Sequence, residues 1–178
     1  MQLRLTRNLT RLALSVVLLG AGGLHAAEPS GAPESTLGGQ EQARYLEQIK
    51  KLYLTSNERQ ALLNHANALL ETYALRAGYQ IGSAKPKDLI YQLAAGDSGE
   101  LLVREETRSE GRIEVRNRPL AIFGVDPFIR YECPAAGIVC EIKSPADGST
   151  WLTVVRDHDG AAELAKALSF LIRNLQKG

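Results

Sequence analysis

Apolar residues recur at helical spacing twice in the segment after residue 39. One stripe predicts a helix over residues 40–55, and the next predicts a helix over residues 58–77. The stretch Ser56-Asn57-Glu58 supplies a break and an N-cap for the second helix, and Gly78 stands where this helix would end. The two stripes consist of Leu46, Ile49, Leu52 and Tyr53, and of Leu62, Ala66, Leu69 and Tyr73. Their short connection predicts a helical hairpin.

Beyond Gly82 the chain changes to short apolar runs typical of β-strands, separated by Gly, Pro, Asp and Ser. The runs are Leu89–Leu93, Leu101–Val103, Ile113–Val115, Leu120–Val125, Phe128–Cys133, Ile138–Ile142 and Trp151–Val155. No helical segment separates them, which favours antiparallel pairing between neighbours. After them, the leucines of residues 160–176 form one face of an amphipathic helix, and this face needs a sheet to cover it.

These elements predict an α+β fold, because the helices and the strands are segregated along the chain. We expect an N-terminal helical hairpin, a mainly antiparallel sheet of about five to seven short strands, and a C-terminal amphipathic helix packed on the sheet. Residues 40–178 would form this single domain. Residues 27–39 are rich in Pro, Gly, Ser and Glu, and we expect a flexible linker there because they bury too little apolar surface to offset ordering.

The first residues have the three-part pattern of a secretory signal peptide. A basic leader with three arginines precedes the uncharged, mostly apolar residues 12–24, and small residues follow at positions 26 and 27. The apolar run is shorter than the roughly 20 residues that cross a bilayer as a helix. We therefore expect residues 1–26 to be removed on export. An uncleaved anchor helix or an ordinary buried helix is the alternative.

Removal of this leader changes the charge of the chain. The full sequence carries 21 basic and 20 acidic residues, and three of the arginines leave with the leader, so the exported chain has a net charge of −2. This balance argues against general nucleic-acid binding, which needs a strong basic excess. We expect a soluble protein, in the periplasm or outside the cell, without a cofactor, a metal or a membrane span.

Cys133 and Cys140 are the only cysteines of the chain. Two thiols alone cannot complete a zinc site, and their spacing differs from that of a CxxC redox motif. In an oxidising compartment we expect them to form a disulfide, with a lone nucleophilic cysteine as the alternative. Direct pairing in a hairpin also places Glu132 opposite Glu141, which is mildly destabilising. Either other strands supply counter-charges or the register differs.

Few histidine and acidic residues are candidates for a catalytic or metal-binding role. His65 lies next to the apolar stripe of the second helix without an acidic or Cys partner four residues away, and we expect a half-buried helix residue. Asp157, His158 and Asp159 could bind a cation, but the EF-hand positions that need an oxygen donor and a glycine hold alanines. We therefore expect one of these two aspartates to cap the last helix, with Glu163 in its first turn.

Residues 101–118 carry arginines and glutamates at alternating positions. A turn over residues 109–111 would place six of these side chains on one face of a hairpin. The six are Arg104, Glu106, Arg108, Arg112, Glu114 and Arg116. Their interleaved signs do not suit a phosphate site, and a solvated outer face is one interpretation. A surface that binds a protein partner is the other, since arginine is enriched at interfaces.

The sequence lacks the motifs of common hydrolases and of phosphate-binding loops. We expect a non-enzymatic, exported protein that binds a protein partner in the cell envelope through the six charged residues. An envelope assembly factor or an inhibitor, such as an immunity protein, would fit. Two other hypotheses are an enzyme acting on peptidoglycan or another envelope polymer, with His65 or His158 and a nearby acid, and a domain that holds a lipid between the helices and the sheet.

Overall fold

The structure is a computed structural model that describes residues 39–97 and 99–178. The predicted signal peptide and residues 27–38 of the predicted linker lie outside the described residues. The described part contains three α-helices and six β-strands, which confirms the predicted α+β class. Within it, no helix combines the length and the apolar character that a membrane crossing requires.

The first two helices are α1, Gly39–Leu52, and α2, Glu58–Thr72. α1 thus includes the last residue of the predicted linker. The N-cap of α2 lies within the predicted stretch and is Asn57, whose side-chain Oδ1 accepts a hydrogen bond from the backbone N–H of Gln60 at 3.0 Å. The apolar stripes of both helices contribute to the core, through Tyr45, Leu46 and Ile49 of α1 and Ala61, Leu62, Ala66 and Leu70 of α2.

The first sheet is antiparallel, in the order β1–β2–β3. Its strands are β1, Asp88–Ala95, β2, Glu100–Ser109, and β3, Arg112–Ala121. One face of this sheet carries the buried side chains of Leu101 and Val103 and packs into the core. This face is called the inner face. The opposite side of the sheet is the outer face.

The second sheet is also antiparallel, in the order β4–β5–β6. Its strands are β4, Tyr131–Glu132, β5, Val139–Lys143, and β6, Thr150–Val155. The strands therefore form two sheets of three, where one sheet was expected. The connection between β3 and β4 leaves the sheets and binds the last helix instead: the N–H of Ile129 donates to Oγ of Ser169 at 2.9 Å.

The segment after α2 bridges the two sheets. Ala74 forms an isolated antiparallel bridge with Val154 of β6, and Leu75 forms one with Leu89 of β1. Because these residues are extended, α2 ends at Thr72 and not at the predicted residue 77.

The last helix is α3, His158–Leu175, and it packs on α2 and on strands β4 and β5. Eleven of its eighteen residues are buried, including the four leucines of the predicted apolar face. Asp157 caps this helix as predicted, since its Oδ1 accepts a hydrogen bond from the N–H of Gly160 at 2.7 Å. Burial of each of these leucines stabilises the fold by about 1.5–3 kcal/mol relative to exposure.

Candidate functional site

Cys133 and Cys140 are joined in a disulfide, as predicted. Their Cα atoms lie 4.1 Å apart and close the loop between β4 and β5. The register does place Glu132 opposite Glu141, and Lys143 Nζ lies 3.0 Å and 2.7 Å from their carboxylates. Hydrogen bonds hold the pKa of Glu141 below its ordinary value, and the one from Lys143 has the largest effect. The counter-charge therefore comes from β5 itself.

The charged hairpin turns at Glu110 and Gly111, whose φ angles are 45° and 76°. A two-residue turn of this kind pairs Ser109 directly with Arg112. The predicted turn is one residue longer, and a shift of one residue moves the side chains of a strand to the opposite face. The expectation that all six charged side chains share one face is therefore wrong.

The register divides the six charged residues into two triplets. The outer triplet lies on the outer face and consists of Arg104, Glu106 and Arg108 of β2. The inner triplet points to the other side of the hairpin and consists of Arg112, Glu114 and Arg116 of β3. The inner triplet lies near the tip of the hairpin, where all three residues are exposed. The hairpin thus presents two charged surfaces in place of one.

Glu106 is the centre of the outer triplet and is only 7 % exposed. Nη2 of Arg104 donates to its Oε2 at 2.8 Å, and Nε of Arg108 donates to its Oε1. Hydrogen bonds from Arg108 and then from Arg104 hold the pKa of Glu106 below its ordinary value. The two arginine side chains remain 42 % and 52 % exposed. Two cations thus shield one carboxylate on a face that meets solvent.

Apolar side chains adjoin the outer triplet. Val115 is paired with Glu106 and Ile113 with Arg108, so both lie on the outer face. Together with Leu102, they are among the large apolar residues that the protein exposes. The outer surface is defined by Leu102, Arg104, Glu106, Arg108, Ile113 and Val115. Single exposed apolar residues are ordinary, but several beside a fixed charge cluster are typical of an interaction site.

A second group of polar side chains joins the three helices around His65. Nε2 of His65 lies 3.0 Å from Oε1 of Glu163 in α3, and Nδ1 of His65 lies 3.2 Å from the hydroxyl of Tyr53. Tyr45 of α1 donates its O–H to the same Oε1 at 2.8 Å. These four side chains form the His65 cluster. His65 has no acidic partner four residues away in the sequence. Its acidic partner is Glu163, which lies 98 residues further along the chain.

All four side chains of the His65 cluster fit one neutral form of the imidazole. Nε2–H donates to Glu163, and Nδ1 accepts the O–H of Tyr53, so both ring nitrogens have partners within the protein. The hydrogen bond from His65 holds the pKa of Glu163 below its ordinary value, while burial raises the pKa of Tyr45 and of Tyr53. The arrangement therefore suits a cross-link between helices.

Replacing Glu163 by glutamine is expected to lower stability at neutral pH but not in acid. Because the pKa of Glu163 is lower in the folded protein, its carboxylate stabilises the fold fully above about pH 4.3, its ordinary pKa. This contribution is lost as the pH falls through the folded-state pKa. The side chain is 39 % exposed, so we expect a difference of about 1 kcal/mol or less at neutral pH.

Urea unfolding of wild type and Glu163→Gln at neutral pH and at roughly pH 3 measures this difference. The control is Glu71→Gln, the same change at an exposed glutamate of α2, for which we expect little effect. A Glu163→Gln deficit of the same size at both pH values would show that the carboxylate charge is not responsible.

The remaining polar residues singled out by the sequence cluster at the start of α3. His158 and Asp159 occupy its first turn, and Glu163 lies one turn later than predicted. In the residues that the structure describes, no group of three or more His, Cys, Asp or Glu side chains could hold a metal ion. Asp157 caps the helix, and Glu163 belongs to the His65 cluster.

The fold and these surfaces define a class of protein: a disulfide-bonded α+β domain with one charged and partly apolar sheet face open to solvent. No protein-family model, no curated protein and no solved structure matches this chain. What the domain does is inferred from its own residues.

Proposed function

We propose that this protein is exported and works without catalysis, by binding a protein partner through the outer surface. The observation that carries the proposal is Glu106, shielded to 7 % exposure on a solvent-facing sheet by two arginines. Arginines beside exposed apolar side chains are typical of protein interfaces. An envelope assembly factor, or an inhibitor such as an immunity protein, would act in this way.

The outer surface suits a partner that presents acidic and apolar side chains. Glu106 balances only one of its two arginines, so the outer triplet keeps a net positive charge. Guanidinium groups donate in a fixed fork that matches a carboxylate. Ile113 and Val115, which are 61 % and 46 % exposed, offer apolar area next to these donors.

The outer triplet is also organised before any partner arrives. Arg104 and Arg108 each donate to Glu106, which restricts the rotamers of two long side chains. Ordering such side chains on binding costs about 0.5–1.5 kcal/mol each, and part of this cost is already met in the free protein. The geometry therefore favours binding over a role as a merely solvated face.

The disulfide supports export, because disulfides persist in oxidising compartments. The predicted signal peptide over residues 1–26 is the second support. Both support a location in the periplasm or outside the cell. The partner would then belong to the cell envelope or to the medium that surrounds it.

The hydrolase hypothesis gains an acidic partner for His65, but the geometry favours it less. Both ring nitrogens of His65 already have partners, Glu163 and Tyr53, so a substrate would have to displace one of them. Binding through the outer surface needs no such rearrangement.

Neutralising the outer triplet is expected to remove partner binding. In the triple variant R104Q/E106Q/R108Q the glutamines keep hydrogen-bonding groups but carry no charge. With the purified chain as bait in an envelope extract, quantitative mass spectrometry after cross-linking should show at least about tenfold less captured partner than for wild type. Each interface arginine contributes on the order of 1 kcal/mol or more, and about 1.4 kcal/mol corresponds to tenfold.

The matched control is the triple variant R112Q/E114Q/R116Q, which removes the same charges from the other side of the same hairpin. This variant is expected to capture the partner at close to the wild-type level. Circular dichroism and thermal unfolding verify that both variants fold. Equal capture by all three proteins, or no protein captured by wild type, counts against the proposal.

A further inference from the structure

The strand β3 is an open edge of the first sheet. Among the described residues only β2 pairs with it, and nine of its ten residues are not buried. An open edge presents N–H and C=O groups that are ready to pair with another strand. β3 is therefore an edge at which the first sheet can be extended.

The hydrogen-bonding phase of the hairpin determines which backbone groups of β3 face outward. The N–H of Ile122 donates to the carbonyl of Gly99 at 3.2 Å, and such bonding alternates along an antiparallel pair. The even-numbered residues of β3 therefore bond to β2. The N–H and C=O groups of Ile113, Val115 and Asn117 point away from β2, and Pro119 has no N–H to offer.

We propose that β3 pairs with β3 of a second copy of this chain, antiparallel and around a two-fold axis at Val115. In this register Val115 lies opposite Val115 of the second copy, and Ile113 lies opposite Asn117. The outward N–H groups of Ile113, Val115 and Asn117 in each strand then meet carbonyls of the other strand. The two first sheets become one continuous sheet through an isologous contact.

The charges of the inner triplet select this register. Glu114 lies opposite Arg116 of the second copy, and the two-fold axis repeats the same pair on the other side. Opposite charges in this position stabilise strand pairing, and like charges weaken it. A register centred on Glu114 would oppose Glu114 to its own copy and Arg112 to Arg116. A register centred on Arg116 would oppose two Arg116 side chains at the axis and would offer Glu114 only Arg118, which already pairs with Glu105. A register centred on Ile113 would leave Asn117 beyond the end of the second strand.

At its ends the pairing places Arg112 beside Arg118 of the second copy. The charge of Arg118 is balanced within its own sheet by Glu105, whose Oε2 lies 2.7 Å away, so the repulsion is reduced. A contact along one strand is smaller than a standard interface, which buries about 1,600 Å². We therefore expect a dissociation constant on the order of micromolar. The dimer does not rest on the proposed function, although it would place two outer surfaces side by side.

Charge reversal in the full exported chain tests both the dimer and its register. Glu114→Arg places arginine opposite Arg116 of the second copy, and Arg116→Glu places glutamate opposite Glu114. Sedimentation velocity over a range of concentrations is expected to show self-association weakened at least about tenfold in each single variant. The double variant E114R/R116E exchanges the two charges and is expected to restore it. Within its own sheet Glu114 faces the uncharged Thr107 and lies 3.5 Å from the exposed Arg116, whereas Arg116 faces Glu105. Circular dichroism therefore verifies that each single variant and the double variant are folded.

Hydrogen exchange gives a second, residue-specific measurement. Protection of the amides of Ile113, Val115 and Asn117 is expected to rise with the concentration of the wild-type chain, and to stay low in Glu114→Arg. The inference is overturned if the wild-type chain stays monomeric up to millimolar concentration, or if its dimer is unaffected by Glu114→Arg. It is equally overturned if the folded double variant does not associate, or if β3 pairs only with a strand of a different protein.

Discussion

Removing the disulfide, by replacing both Cys133 and Cys140 with alanine, is expected to lower the free energy of unfolding by about 2–4 kcal/mol. The bond joins residues seven apart in sequence, and in the chain-entropy model so short a loop contributes about 2–3 kcal/mol. The remainder comes from truncating Cys140, which is completely buried in the core. Alanine is chosen over serine because a buried hydroxyl would need a hydrogen-bond partner.

The disulfide loop has a second attachment that should preserve its folded shape. Nη1 of Arg156 donates to the carbonyl of Ala135 at 2.6 Å and to that of Gly137 at 3.3 Å. Because the covalent bond acts mainly on the unfolded chain, the loss should appear in the denaturant midpoint, with little change in near-UV circular dichroism at neutral pH. Wild type with reductant keeps the buried Cys140 side chain, so its midpoint should fall slightly less than that of the alanine variant, on which reductant has no effect. A midpoint that neither treatment moves would refute the expectation.

Local patterns predicted the type of the elements, and long-range pairing decided where several of them end. The helical pattern of residues 58–77 continues past Thr72, but Ala74 and Leu75 pair with strands whose sequences lie far away. The local sequence therefore gives no sign that the helix ends before its apolar pattern does. The opposite occurs at Pro119, where two predicted runs form one strand, because an edge strand does not need that N–H.

The division of the six charged residues into two triplets depended on whether the turn of the hairpin has two residues or three. An acidic residue before glycine resembles the Asp-Gly pair that favours a two-residue turn, so the sequence Glu110-Gly111 carried the signal for the correct register. With that turn, the alternation of charges along β2 and β3 gives the two triplets directly. This part of the candidate site was predictable from the sequence.

The His65 cluster was not predictable in the same way. His65 and Glu163 belong to α2 and α3, and only the packing of the two helices brings their side chains within 3.0 Å. Helical spacing identifies partners three or four residues away and carries no information about a contact between helices. The general lesson is that pairing within one hairpin can be derived from the sequence, whereas side-chain contacts between distant elements need the fold.

Replacing Gly160 by alanine is expected to destabilise the domain by about 1–3 kcal/mol. A Cβ atom on Gly160 would overlap the ring of Tyr73, which packs against the first turn of α3. Tyr73 cannot withdraw as a whole, because its carbonyl accepts a hydrogen bond from the N–H of Val155 at 2.8 Å. The ring must rotate away and lose its packing. The better helix propensity of alanine, about 1 kcal/mol at most, offsets only part of this loss.

A double-mutant cycle with Tyr73→Ala separates the steric contact from helix propensity. In the Tyr73→Ala background, Gly160→Ala is expected to stabilise the domain by a few tenths to about 1 kcal/mol, because the ring is gone and alanine favours the helix. Gly78→Ala, where a Cβ meets open space, should stay within about 0.5 kcal/mol of wild type. Urea unfolding of the five proteins measures all three effects. The reversal of sign would assign the cost to the ring of Tyr73, which holds the start of α3 against the end of α2, whereas an equal loss in both backgrounds would place the cause elsewhere.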